Sequence, residues 1–324
     1  MTSAETPASS GSTPPYTPIQ FHRAEKEARP ARIAFDGPSG SGRTLTALRV
    51  ASALGHRIAV IETERGHSHQ YADDIPFDTH VLSDFDPENL FTALASAAVL
   101  QYDVVVVDCY SMFWTGVNGM LDKVVADTRP GHGGANASWS RHRPLERKVT
   151  EALLAYPGHL IVTLRSDTET LVDTDAQGRQ TTRRVAVRAK QRADIEYDFD
   201  IVGTLGPVAT LHIGKSRVPD LVDQVLHEPG TELGDTIRTW ADDGKPTGDW
   251  LGFVRRARAL EASSEDLRDL WLDVSAARCW GMAVLDEYGQ TVKLADLISE
   301  RGRYLASRQS ALPKADNKDQ PPCE

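Results

Sequence analysis

From Arg32 onward the chain alternates short apolar runs with amphipathic stretches. The run "RIAF" predicts a strand, "RTLTALRVASAL" a helix, "RIAVIE" and "DTHVLS" two strands, and "PENLFTALASAAVLQ" a second helix. "DVVVVDCY" and "HLIVTLR" are unbroken apolar runs, as strands covered on both faces should be, and "RPLERKVTEALLAY" between them predicts a helix. Strand and helix in this succession predict a mainly parallel sheet.

The pattern changes after Arg165. "TETLVDTDAQGRQTTRRVAVR" predicts two strands folded back around Asp175 to Gly178, and "FDIVGTLGPVATLHIGKSRVP" a second antiparallel pair. Beyond Pro229, "ADDGKPTGDW" is broken by Gly and Pro, and "SSEDLRDLWLDVSAARCW" and "TVKLADLISERGRYLASR" predict helices with acidic first turns. The expected fold class is therefore α/β: a mainly parallel central sheet flanked by helices, antiparallel hairpins on its C-terminal side, and a small helical C-terminal subdomain. The expected divisions are a polar tail over 1–16, the sheet domain over 17–228, a linker and helical subdomain over 229–312, and a second polar tail over 313–324.

Composition narrows the function. A formal charge of -10 on 324 residues excludes a wholly basic surface, so any nucleic-acid contact must come from a local patch. The cysteines Cys109, Cys279 and Cys323 lie far apart, without the spacing of a zinc site. No apolar run reaches the ~20 residues that cross a bilayer, and the expectation is a cytoplasmic protein with no membrane partner. Arginine outnumbers lysine 27 to 9.

The candidate chemistry begins directly after the first strand. "GPSGSGRTL", Gly37, Pro38, Ser39, Gly40, Ser41, Gly42, Arg43, Thr44 and Leu45, matches the phosphate loop G-x-x-x-x-G-K-[ST] except that Arg43 stands in the lysine position. A strand, a glycine-rich turn and a helix N-terminus together gather backbone N–H groups around an anion. Thr44 has the hydroxyl expected on Mg²⁺, and "DVVVVD" ends in Asp108, where a second acidic residue for that ion is needed. Arg43 keeps the positive charge but replaces a compact ammonium by a planar fork, which suits binding better than transfer. At the end of "RIAVIETE", Glu62 and Glu64 both stand where a carboxylate polarises water, and Glu64 is the first choice. His67 and His69 lack a third metal ligand nearby.

The loop, "VIETERG", "VVVVDCYS", "TLRSDTE", "AKQRADIEYDFDIVG" and "HIGKSRVPDL", in this order, resemble the RecA-like P-loop ATP-binding proteins (AAA ATPases) encoded by phages and prophages, a family linked to single-strand annealing and recombination. The resemblance spans Ile19 to Asp223 and implies a RecA-like fold, with ATP and Mg²⁺ as ligands. It implies Glu64 as the water-activating residue, Arg165 or Ser166 as a sensor of the γ-phosphate, and Lys215 with Arg217 as a Lys-x-Arg finger that completes a neighbour's site. A finger acting in trans implies a homo-oligomer, a ring or a filament. The family usually carries lysine at position 43, so the departure bears on hydrolysis.

Two basic segments are the candidates for single-stranded DNA. One carries Arg179, Arg183, Arg184, Arg188, Lys190 and Arg192 without an acid. The other is a Gly-rich loop before the helix, with Trp139 for base stacking beside Arg141, His142 and Arg143. Trp271 and Trp280 are expected in the core of the C-terminal subdomain, or at a surface for a DNA-processing partner. Two functions stay open on these residues: an ATPase coupled to single-stranded DNA, or a non-hydrolysing nucleotide-binding scaffold that recruits a partner.

Overall fold

The structure is a computed structural model that describes residues 21, 23–128, 134–174, 180–189, 191, 194–246, 248–259 and 262–311. Its strands are β1 (Glu27–Ala28), β2 (Arg32–Gly37), β3 (Ile58–Glu62), β4 (Asp78–Val81), β5 (Val104–Asp108), β6 (His159–Thr174), β7 (Gln180–Ala189), β8 (Ile201–Leu205), β9 (Thr210–Ser216), β10 (Val225–His227), β11 (Lys245–Pro246), β12 (Ala283–Leu285) and β13 (Thr291–Lys293). Its α-helices are α1 (Arg43–Leu54), α2 (Pro87–Val99), α3 (Met112–Thr115), α4 (Met120–Asp127), α5 (Gly134–Leu154), α6 (Thr231–Asp242), α7 (Trp250–Arg258), α8 (Ser264–Ala276) and α9 (Leu294–Ala311).

The main sheet runs in the order β10-β9-β8-β2-β6-β5-β3-β4, with β7 paired to β6 beyond the sheet. From β8 to β4 all neighbours are parallel. The pairs β8–β9, β9–β10 and β6–β7 are antiparallel. This is the expected α/β architecture.

Alternation along the buried strands explains why they are apolar throughout. Ile33, Phe35, Val104 and Val106 pack on one face with Leu48, Val50 and Ala51 of α1. Ala34, Val105 and Val107 pack on the other with Leu90, Phe91 and Leu94 of α2 and Leu153 of α5. Successive side chains point to opposite faces, so a strand covered on both sides keeps no polar position to spare. Helix α6 joins the α1 face through Leu233 and Ile237. Gly234 is required there, because a Cβ would lie 2.6 Å from the Ala53 Cβ and 2.7 Å from the Val50 carbonyl oxygen.

Three expectations need correction. The "HLIVTLR" strand does not end at Arg165: β6 continues unbroken to Thr174, so one strand belongs to both the sheet and the hairpin. The helix expected from Arg143 begins at Gly134, with Pro144 inside it. Proline inside a helix loses a backbone donor and crowds the carbonyl four residues back, at a cost of about 3 kcal/mol, and here the preceding turn is anchored by buried Ser138 and by Trp139 stacked on Trp114. The C-terminal subdomain contains the β12–β13 hairpin besides its helices. Its core is Phe253, Leu267, Leu270, Val274, Met282, Leu294 and Ile298, while Trp271 and Trp280 are 41% and 42% exposed. Among the described residues, no helix is long and apolar enough to cross a membrane.

Candidate functional site

The phosphate loop lies at the C-terminal end of the parallel strands, between β2 and α1. Gly40 and Gly42 adopt φ of 78° and 88°, the left-handed region where a side chain is strained. Gly37 is fixed by space instead: a Cβ would meet the Leu205 carbonyl oxygen and the Ser41 Oγ, each at 2.6 Å. The loop delivers the first turn of α1 with backbone N–H groups that have no intrahelical partner. Ser41 Oγ is buried without a hydrogen-bond partner among the described residues. An orphaned hydroxyl in a glycine cradle at a helix N-terminus fits an anion with several oxygens.

Arg43 is the first residue of α1. Its Nη1 donates to the Gly37 carbonyl and, at 3.1 Å, to the Leu164 carbonyl. Next to it, Thr44 Oγ1 donates to Asp108 Oδ2 at 2.8 Å, and Thr163 Oγ1 donates to Asp108 Oδ1. Asp108 is 2% exposed, and burial pushes its carboxyl up to about 6 against the opposing effect of the two threonine bonds. Glu62 and Glu64 add to the upward push. The Asp108 carboxylate beside the Thr44 hydroxyl offers hard oxygen donors of the kind that suit Mg²⁺. Thr163 is a site residue that motif reading passed over; its only signal is a polar residue inside the apolar run "LIVTLR".

The two glutamates after β3 separate cleanly. Glu62 is wholly buried, and its carboxylate accepts the Glu64 N–H at 2.7 Å and the Ser68 N–H at 3.1 Å. It therefore shapes the turn that follows. Glu64 Oε1 instead receives Arg165 Nε at 3.0 Å and Nη2 at 2.7 Å. Arg165 is held from its own backbone, where its N–H donates to Ser111 Oγ at 3.0 Å. The remaining sensor candidate, Ser166, has a buried Oγ without a partner among the described residues. The structure thus gathers the loop, Asp108, Glu64 and Arg165 at one end of the sheet.

Lys215 and Arg217 lie elsewhere. Lys215 pairs with Val202, near the opposite end of β8 from the Leu205 that touches Gly37. Its Nζ donates to the Glu196 carbonyl at 2.6 Å, and Arg217 pairs with Asp200 at 3.3 Å. Neither belongs to the phosphate site of its own chain.

The basic candidates divide as well. Arg179, Lys190 and Arg192 lie outside the described residues. Arg183, Arg184 and Arg188 are on β7, across from Leu171, Thr170 and Asp167 of β6. Trp139, expected in a loop, is on α5 and stacks on Trp114 with ring centroids 5.4 Å apart. Arg141 pairs with Asp127 at 3.2 Å, His142 Nε2 lies 2.9 Å from the same carboxylate, and Arg143 is exposed. Among the described residues no group of three or more His, Cys, Asp or Glu is placed to hold a metal ion.

A family model described as "AAA domain" matches residues 29–226. No curated protein matches the chain.

Proposed function

The chain belongs to the AAA domain family, and from that premise we propose that it binds ATP with Mg²⁺ in the 37–45 loop and hydrolyses it in the service of single-stranded DNA. The loop amides and Arg43 hold the phosphates. Thr44 and Asp108 hold Mg²⁺, which when bound neutralises phosphate charge. Glu64 orients and deprotonates the attacking water, and Arg165 reads the terminal phosphate. The observation that carries this reading is the convergence of Thr44, Asp108, Thr163, Glu64 and Arg165 at the mouth of one loop.

Lys215 and Arg217, remote from their own loop, act on a neighbouring subunit in a ring or filament. The β6–β7 hairpin and the exposed Arg143 face of α5 supply the DNA contacts, and the half-exposed Trp271 and Trp280 offer a surface to a DNA-processing partner. One observation favours the non-hydrolysing alternative: Arg43, the one departure from the loop pattern, is committed to two backbone carbonyls. Arg43→Lys separates the two. A hydrolysing wild type changes modestly, whereas a locked scaffold gains turnover.

A further inference from the structure

Arg43 sits where it touches two structures at once. Its Nη1 donates both to Gly37, the last residue of β2, and to Leu164 of β6. Gly37 and Arg165 are register partners, so these two carbonyls lie on adjacent strands where the phosphate loop leaves the sheet. Beyond Leu164, β6 carries Arg165 and then continues into the hairpin with β7, whose pairing shifts register between Glu169 and Thr170. The remaining Arg43 donors, Nε–H and the two on Nη2, have no hydrogen-bond partner among the described residues, and Arg43 is itself the first residue of α1, the end of the helix that receives phosphate.

We infer that Arg43 is a positioning residue as well as a phosphate ligand: it braces β6 to the phosphate loop through Nη1 and takes phosphate through its other donors, so that nucleotide occupancy stiffens the hairpin. The inference rests on the ATP-binding reading above and adds the reason for arginine. A guanidinium spreads its donors over separate nitrogens in a fixed plane, so brace and phosphate contact coexist. A lysine has one nitrogen for both tasks. Drawn toward phosphate, it gives up the Leu164 carbonyl, and the strand is released as the nucleotide binds.

The test is amide hydrogen exchange on the full chain, wild type, Arg43→Lys and Arg43→Ala, without nucleotide and with saturating Mg²⁺ and a non-hydrolysable ATP analogue. In the wild type the analogue should slow exchange both in the 37–45 loop and across Arg165–Thr174, the latter by about tenfold. In Arg43→Lys at saturation the loop should still be protected while Arg165–Thr174 gains less than about twofold. Equal protection of Arg165–Thr174 in wild type and Arg43→Lys, or none in a wild type whose loop is protected, overturns the inference. The nucleotide-free samples keep the two ideas distinct. If no nucleotide binds, the ATP reading fails, and the brace alone still requires faster exchange across Arg165–Thr174 in Arg43→Ala than in wild type. Equal nucleotide-free rates there refute the brace whatever the nucleotide does.

Discussion

Replacing Asp108 by asparagine should stabilise the nucleotide-free protein while removing its Mg²⁺ site. Asp108 is 2% exposed, and burial raises its carboxyl from 3.8 to about 6. At about 1.4 kcal/mol per pH unit, keeping it ionised costs the fold about 3 kcal/mol at pH 8. The folded value lies above the unfolded one, so the cost is full above pH 6, shrinks as the pH falls through 6, and is gone below about 4. Asparagine removes the charge and keeps both threonine contacts, because a hydroxyl can accept from the amide as readily as donate to the carbonyl. Allowing for imperfect geometry, the gain should be about 1 to 3 kcal/mol, which raises Tm by several degrees. The assay is a thermal melt of both proteins without Mg²⁺ or nucleotide at pH 8 and pH 4.5. The variant should melt higher at pH 8, keep about a third of that lead at pH 4.5 and lose the rest below about pH 4, and its Mg²⁺-dependent nucleotide affinity should collapse. An asparagine variant less stable at pH 8, or a difference independent of pH, would refute the claim that this carboxylate is held against its own hydration.

Further expectations concern the fold and the chemistry. Glu64→Gln should reduce ATP hydrolysis by about 10²- to 10⁴-fold. It should change stability by less than about 1 kcal/mol, since the Arg165 partner is part-exposed; a loss under tenfold in phosphate release would remove Glu64 from its role. Buried Arg32 donates to the carbonyls of Leu154 at 3.0 Å, Gly158 at 2.9 Å and Tyr156, closing the turn between α5 and β6. Arg32→Met should cost about 3 to 5 kcal/mol in a urea melt, and a cost below 1 would show that the turn closes without it. His159 accepts the Ala31 N–H on Nδ1, and burial pulls the ring down to about 4. Its folded value is below the unfolded one, so its contribution is full above pH 6.5 and declines by up to about 3 kcal/mol toward pH 4. Asp108 works in the opposite sense over the same window, so the difference between wild type and His159→Asn is the quantity to plot. A difference that stays flat with pH rules His159 out as the source.

The parallel core was legible because burial on both faces leaves long apolar runs, as in "VVVVD", and because glycines at fixed spacing announce a loop bent around an anion. What stayed hidden depended on tertiary partners. The extension of α5 back to Gly134 rests on Trp139 meeting Trp114, which are 25 residues apart, and no local propensity reports that contact. Thr163 and Ser111 become site residues only because β6 and the turn after β5 bring them beside Asp108 and Arg165. The distinction between Glu62 and Glu64 is likewise invisible in "IETE": two residues apart, they would share a face in a continuing strand, but β3 ends at Glu62, and the structure shows Glu62 spent on backbone N–H groups. Trp271 and Trp280 misled in the other direction. They are large and apolar, yet Leu267, Leu270 and Val274 fill that core without them.

On the reading proposed above, the 37–45 loop holds Mg²⁺ and ATP for hydrolysis with Glu64 beside it. The most direct measurement is steady-state phosphate release by the purified protein, with and without single-stranded DNA, beside Glu64→Gln and Asp108→Asn. Mg²⁺-dependent release should rise with DNA and be lost in both variants. Tight ATP binding with no release in the wild type, and release appearing in Arg43→Lys, would contradict it and leave a nucleotide-holding scaffold in its place.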